Sequence, residues 1–332
     1  MQKRQIGPFS VGAIGLGCMN LSHAYGQPPT PEEGARLLRE ALDRGVDFFD
    51  TAALYGFGAN ETLLGEALKG QRQRFVLASK CGMTGVDGKR VIDGRPATLK
   101  ATCEAALKRL QTEVIDLYYL HRRDFAVPIE DSVGALAELV AAGKIRTIGL
   151  SEVSAATIRQ AHAVHPVTAV QSEYSLWSRE AEIAVIDTCR EIGAAFVAFS
   201  PLARGFLCGE LNEPASQLSA GDIRLAMPRF APDNYARNLA LLDGYRAIAG
   251  EIGCSPAQLA LAWLLAKQPD MVAIPGTRSL AHLEDNLGAA AVTLPATVVT
   301  RLDALINEKT VAGPRYNAAT QKEIDTEQFA AG

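Results

Sequence analysis

Four residue types suited to moving a proton stand at or just beyond the ends of short apolar runs in this chain. Asp50 closes "VDFFD", Tyr55 follows five residues later, Lys80 closes "FVLASK" and His121 closes "IDLYYLH". A phenol, with a pKa of about 10, is a poor acid at neutral pH. A neighbouring ammonium favours the phenolate and so makes its proton easier to release. Lys80 can supply that charge, Asp50 can hold Lys80 charged and in place, and His121 can orient the oxygen that receives the proton. Each has a plainer reading alone: a rim ion pair, a half-buried aromatic, a structural histidine. Together they form a proton donor with its accessories, and no nucleophile, metal or acyl machinery accompanies them. Reduction of a carbonyl by hydride needs such an acid, with a cofactor carrying the difficult step.

These residues must be positioned by the elements that precede them. Short apolar runs at Ala13–Gly17, Asp47–Asp50, Phe75–Lys80, Ile115–His121, Ile145–Ser151, Thr168–Gln171, Phe196–Ser200 and Met271–Pro275 read as strands. Helical spacing of apolar residues separates them, over Pro31–Arg44, Glu61–Leu68, Ala97–Leu110, Ile129–Ala142, Ala155–Ala163 and Ala181–Ile192. Further helices are expected around Leu239–Ile252 and Pro256–Lys267 before the last strand, and at Ser279–Ala289 and Pro295–Asn307 after it. Gly45, Gly143 and Gly193 sit where helices should end. Eight β/α units without a linker predict closure into a (β/α)8 TIM barrel forming one domain over 1–332, rather than an open doubly wound sheet. The segment Asn212–Asn234 is too long for a plain connection and reads as a loop on the functional face. The polar tail 311–332 is expected to be loosely held.

Chemistry in such a barrel lies at the carboxyl ends of the strands. Those ends carry Asp50, Lys80, His121, Ser151, Gln171 and Ser200, with Gly276, Thr277 and Arg278 after the eighth. So many consecutive polar ends are hard to attribute to packing.

Bulk properties narrow the class. The 332 residues are 48% hydrophobic, enough for a large core, and the net charge of -4 offers no general attraction for nucleic acid or an anionic membrane. Neither a signal-peptide core nor a charge-free stretch of transmembrane length is present. Six scattered cysteines lack a CxxC spacing, which reads as reduced thiols in a cytoplasmic protein. His162 and His165 have helical spacing but no third ligand nearby, and no metal site is expected.

The stretches "DFFDTAALYGFGANETLLGEAL", "LASKCG", "IDLYYLHR", "IGLSE", "VQSEYSL", "AFSPLARGFLCG" and "IPGTRSLAHLEDNLGA" resemble the aldo-keto reductase family, in the right order and over nearly the whole chain. The "GLGCMNLSHAYG" and "QSEYSLWSRE" segments are similar to its bacterial and plant branch, whose members act on varied aldehydes and ketones. The resemblance implies an NAD(P)H-dependent oxidoreductase of the alcohol dehydrogenase type with a catalytic tetrad at Asp50, Tyr55, Lys80 and His121. It also implies a small carbonyl or alcohol as partner, and leaves the oligomeric state open.

For the cofactor, Gly15-Leu16-Gly17 invites a Rossmann reading, but Asn20 stands where the third glycine of GxGxxG belongs. The dinucleotide is expected across the barrel mouth instead. The resemblance implies Ser151 and Gln171 at the nicotinamide carboxamide, Phe199 stacked on its ring, and Ser200, Leu202 and Gly205 along the pyrophosphate. Gly276-Thr277-Arg278-Ser279 joins the last strand to a helix, so free amides and a permanent cation meet an anion there. That suits an adenosine 2′-phosphate and favours NADPH, leaving room for NADH. Asp285 and Asn286 match the family's adenine-side pair. Three residues depart from the commoner pattern: Glu152 where many reductases have Asn, Asp285 in place of Glu, and His282 where relatives put an arginine.

Two rival readings remain: an NADPH-binding sensing or regulatory barrel with slow turnover, and a metal-assisted barrel hydrolase, for which only His121 sits at a strand end. Arg122 and Arg123 read as rim charge or as an attraction for an acidic substrate. The substrate itself depends on the loops Leu21–Pro29, Thr84–Pro96, Arg122–Pro128 and Asn212–Asn234.

Overall fold

The apolar runs become strands because they are too short for helices, and the amphipathic segments between them can cover the outward face of each run. The computed structural model describes residues 2–22, 24–86, 88–268 and 270–329. The chain opens with an antiparallel hairpin of β1 (Lys3–Ile6) and β2 (Phe9–Gly12). The main sheet is parallel, and its first four strands in chain order are β3 (Leu16–Gly17), β4 (Phe48–Asp50), β5 (Val76–Cys81) and β8 (Ile115–Leu120). It continues with β9 (Ile145–Ser151), β10 (Val167–Glu173), β11 (Ala195–Phe199) and β12 (Met271–Ile274). A second hairpin, β6 (Met83–Val86) with β7 (Lys89–Ile92), stands apart from the sheet.

Strand neighbours follow chain order from β3 to β12. A parallel bridge between Ile14 and Ala273 joins the first strand region to the last, and Gly17 N donates to Pro275 O at 3.2 Å. The eight-stranded (β/α)8 barrel expected from the sequence is therefore present. At that seam a Cβ on Gly17 would lie 2.8 Å from the Ile274 carbonyl oxygen, so no larger residue fits. The helix over Pro31–Asp43 starts with a Thr30–Glu33 capping box, and Gly45, Gly143 and Gly193 adopt φ values of 86°, 71° and 73° at helix ends, as their placement predicts.

Strand alternation sets which side chains point inward. Phe48, Ala78, Leu117, Tyr119, Ala169, Val197 and Val272 form one buried cluster with Ile6 and Val11 of the first hairpin. Their neighbours Phe49, Leu77, Tyr118, Val170 and Phe196 belong instead to the larger cluster shared with the helices. Counting by two from the inner set reaches Asp50, Lys80, His121, Gln171 and Phe199. The parity that fills the barrel thus also aims these residues at its mouth.

The structure departs from the sequence expectations in several places. Neither hairpin was anticipated, and β6–β7 occupies part of what reads as the loop Thr84–Pro96; two-stranded ribbons with exposed positions leave no apolar run to find. The first barrel strand pairs regularly only at Leu16–Gly17. The loop Asn212–Asn234 contains a short helix, Pro214–Gln217, and runs into another over Pro232–Leu239. The tail, polar in composition, is anchored at several points: Ala312, Arg315, Tyr316 and Ile324 are buried. Asn238 exchanges two hydrogen bonds with the Ala312 backbone, and Arg229 Nε donates to Gly313 O at 3.1 Å. Residues 330–332 lie outside the described range.

Candidate active site

Asp50 is the last residue of β4, and the turn that follows carries Tyr55 back toward the barrel axis, with Tyr55 N donating to Ala52 O at 3.1 Å. Lys80 comes from the neighbouring β5 and is fully buried. Its Nζ pairs with Asp50 Oδ1, donates to Thr51 O at 2.9 Å and lies 3.1 Å from Tyr55 Oη. Gln171 Nε2, from the far side of the mouth, donates to Asp50 Oδ2 at 2.7 Å. Both carboxylate oxygens of Asp50 are thereby committed, which a buried ion pair requires. The His121 ring meets the Tyr55 ring edge-on, with centroids 5.7 Å apart.

The electrostatics follow from burial and neighbours. Burial pushes the Tyr55 phenol above its ordinary value; Lys80 pulls the other way without reversing the shift. Desolvation also raises Asp50, only partly offset by Lys80 and Gln171. Desolvation opposes the charge on Lys80, yet Asp50 and Tyr55 together hold it above the usual lysine value. Lys80 therefore stays a cation beside a protonated phenol.

A second tier holds this corner. Thr51 Oγ1 donates to Asn60 Oδ1 at 2.6 Å, and Asn60 Nδ2 reaches Cys18 O at 2.8 Å. Glu61, fully buried, accepts from Ser79 Oγ at 2.5 Å and from Arg109 Nε at 2.7 Å. Neither Asn60 nor Glu61 was singled out from the sequence, although both stand in the quoted stretch that contains Tyr55.

One cavity of about 910 Å³ spans the mouth. Asp50, Tyr55, His121, Ser151, Gln171, Phe199, Ser200, Leu202 and Gly205 line it, as do Gly276, Thr277, Arg278, Asp285 and Asn286. Lys80 alone among the sequence-derived residues is set behind the wall, reaching the site through Asp50 and Tyr55. At the β12 end, Ser279 caps the helix Leu280–Gly288, and Arg278 Nη1 donates to the backbone oxygens of Gln27 at 2.6 Å and Tyr25 at 3.3 Å. Among the described residues, no carboxylate pairs with Arg278. A Cβ on Gly276 would lie 3.0 Å from both Asn20 Oδ1 and Gly17 O, so that loop is a tight cradle. Asp285 accepts from Ser255 Oγ at 2.8 Å, which engages one of its oxygens.

Glu152 is one of the three departures from the commoner pattern. Its backbone is left-handed, with φ of 55°, a conformation Asn tolerates better than Glu. Its side chain turns away from the cavity: Oε1 accepts from Glu173 N at 2.8 Å and Oε2 pairs with Arg315 at 2.8 Å. Arg315 Nε also pairs with Glu173 Oε2 at 3.0 Å, and Arg204 Nη2 reaches that oxygen at 2.6 Å and Tyr316 Oη at 3.0 Å. Burial opposes the charge of Glu173, but Arg204, Arg315 and Arg229 outweigh it and hold the carboxyl at about 2. The sequence marked Glu152 only as a departure from the commoner pattern and gave no sign of these pairings, since Arg315 stands 142 positions from Glu173.

Other sequence features resolve simply. His162 Nδ1 accepts from Val167 N at 3.2 Å at a helix end, and all six cysteines are free thiols. Among the described residues no group of three or more His, Cys, Asp or Glu is arranged to hold a metal.

A phenol, an ammonium and a carboxylate thus lie buried together at the carboxyl mouth of a (β/α)8 barrel, the end at which such barrels carry their active sites. The chain belongs to the aldo/keto reductase family, whose model matches residues 13–307. It is 42% identical over 311 residues to a probable aldo-keto reductase from Glycine max, covering 93% of this chain and 89% of that one. Among solved structures it resembles a glycerol dehydrogenase from Gluconobacter oxydans, with a TM-score of 0.85 and 28% identity over 94% of this chain and 97% of that one. An aldo/keto reductase from Klebsiella pneumoniae, in complex with NADP and acetate, matches with a TM-score of 0.70 and 27% identity, covering 95% of each chain. The protein is accordingly an oxidoreductase acting on small carbonyl compounds with a nicotinamide nucleotide.

Proposed function

We propose that this protein uses NADPH to reduce aldehydes or ketones to alcohols, reversibly, with Tyr55 as the proton donor. The observation that carries the reading is Lys80 Nζ, already paired with Asp50, lying 3.1 Å from the Tyr55 hydroxyl inside a buried pocket. When bound, the reduced nicotinamide supplies the hydride that the carbonyl carbon receives. Tyr55 Oη donates a hydrogen bond to the carbonyl oxygen and then its proton as negative charge builds there. Lys80 stabilises the phenolate left behind, and Asp50, held by Gln171, keeps Lys80 charged and aimed. His121, packed edge-on against Tyr55, orients the carbonyl oxygen from the other side.

Ser151 and Gln171 would hold the nicotinamide end, with Phe199 offering a ring to it, and Ser200, Leu202 and Gly205 would hold the pyrophosphate. Gly276, Thr277 and Arg278 would hold the adenosine 2′-phosphate at the helix N-terminus, and Asp285 and Asn286 the adenine. Arg278, free of a carboxylate partner among the described residues, favours NADPH over NADH. Glu152 is committed to Arg315 and makes no carboxamide contact.

The test is a panel of aldehydes and ketones assayed with NADPH and NADH in parallel, followed by cofactor absorbance. Reduction with NADPH outpacing NADH is expected. Tight NADPH binding with uniformly slow turnover would favour a sensing role, and no cofactor consumption or binding at all would overturn the proposal.

A further inference from the structure

The two arginines after His121, alike in sequence, have different surroundings. Arg123 Nη1 donates to Thr157 Oγ1 at 2.7 Å and pairs with Asp325 of the tail at 3.2 Å. Arg122 lines the cavity. Its Nη1 donates to His121 O at 2.6 Å and to Ser151 Oγ at 3.2 Å, which fixes the guanidinium beside the reaction centre. Among the described residues no carboxylate pairs with it. The acidic groups that line the cavity nearby are already engaged, Asp50 by Lys80 and Glu323 by Arg90. A guanidinium fixed at the cavity wall without a counter-ion leaves donors that a ligand bearing an anion can engage.

The cofactor's phosphates do not answer to this position. β8, which leads into Arg122, and β12, which leads into Arg278, stand four places apart in the eight-strand order, on opposite sides of the mouth. The phosphate cradle belongs to the β12 side. Arg122 stands on the side of His121 and Tyr55, where its positive field also reaches the phenol.

We infer that Arg122 is a specificity-determining residue that selects carbonyl substrates bearing a carboxylate or similar anion. Its planar fork suits a carboxylate held in two hydrogen bonds. The anion is placed to one side of the carbonyl oxygen, which Tyr55 and His121 hold. Met19, Leu54 and Met83, also in the cavity wall, offer an apolar surface for the carbon skeleton between the two groups. This inference rests on the carbonyl-reductase reading above.

The experiment compares 4-carboxybenzaldehyde with its neutral methyl ester as substrates of the full-length enzyme with saturating NADPH. In Arg122→Met the ratio of kcat/KM for acid over ester should fall by about 10- to 100-fold, the value of a lost charge-assisted contact. The change should appear mainly in KM for the acid, and Arg122→Lys should recover part of the ratio. NADPH affinity, followed by fluorescence titration, separates the roles. An unchanged acid/ester ratio overturns the inference, whether or not NADPH binding weakens, and leaves the carbonyl-reductase reading standing. A wild-type enzyme that reduces neither aldehyde overturns the inference, and one that neither reduces any member of the carbonyl panel nor binds NADPH overturns the carbonyl-reductase reading as well.

Discussion

Two clusters of buried charge sit at the barrel mouth and are built in opposite ways. The Asp50–Lys80–Tyr55 corner draws its ions from adjacent strands, sets one carboxylate against one ammonium, and leaves a protonated phenol facing the cavity. The Glu152–Glu173 cluster draws on the ends of β9 and β10, the loop after β11 and the tail, and it sets Arg204 and Arg315 against two carboxylates. The second cluster places no lysine beside its phenol: its cations are arginines, which stay charged, and Tyr316 Oη accepts from Arg204 at 3.0 Å and Arg315 at 3.2 Å. In the first cluster burial raises the pKa of a phenol that lines the cavity. The second uses burial to fix the tail that walls the cavity with Tyr316, Asn317 and Thr320. Buried ions therefore do not by themselves mark a site of chemistry.

The largest expected effect tests the first cluster. Tyr55→Phe keeps the ring and removes the proposed donor, so carbonyl reduction should fall by at least about 10²–10⁴-fold while NADPH affinity survives. Lys80→Met should also be severe, and the double mutant should lose little more than Tyr55→Phe alone, because the ammonium acts through the phenol. Single-turnover kinetics on the three variants decide; near-native rates in Tyr55→Phe would put the proton source elsewhere.

For the second cluster, Arg315→Met should leave Glu152 as an uncompensated buried carboxylate and cost about 3–5 kcal/mol of stability. Urea unfolding measures this directly. A cost below about 1 kcal/mol would mean that the cluster is no more than a surface ion pair in disguise.

The pH dependence sharpens the contrast further. Glu173 is held at about 2 in the folded protein against an ordinary 4.5, a depressed carboxyl value. Its contribution is fully present above the unfolded value and is lost as pH falls from there toward the folded one. The loss amounts to roughly 3 kcal/mol over that window. Wild-type unfolding midpoints should therefore drop steeply between about pH 4.5 and 2, and Glu173→Gln, weaker at neutral pH, should show a flatter profile. Equal slopes would remove Glu173 from the account.

The smallest effect concerns a cation outside both clusters. Arg278→Ala should weaken NADPH binding by on the order of 1.5–3 kcal/mol and barely change NADH binding. Equal losses for both cofactors would dissociate Arg278 from the 2′-phosphate.

Much of the site was legible because it depends on local pattern. Asp50, Lys80, His121 and Gln171 lie on runs whose alternation can be counted, so the chain itself says that they share the barrel's inner face. The hairpins β1–β2 and β6–β7 were not legible, because their short strands have exposed positions and no apolar run. Arg122 and Arg123, adjacent and identical in type, could not be told apart without knowing that Asp325 returns to one of them.

The sequence by itself determined the β/α alternation, the barrel and the inward-facing strand ends, since hydrophobic periodicity acts within a few residues and strand parity follows from backbone geometry. Tertiary structure alone decided that Glu152 turns from the cavity to Arg315, that the tail packs against the barrel, and that Arg122 rather than Arg123 lines the cavity. Those outcomes depend on ion pairs between residues far apart in the chain. Which partner a buried charge finds is set by the packed geometry, and no local pattern records it.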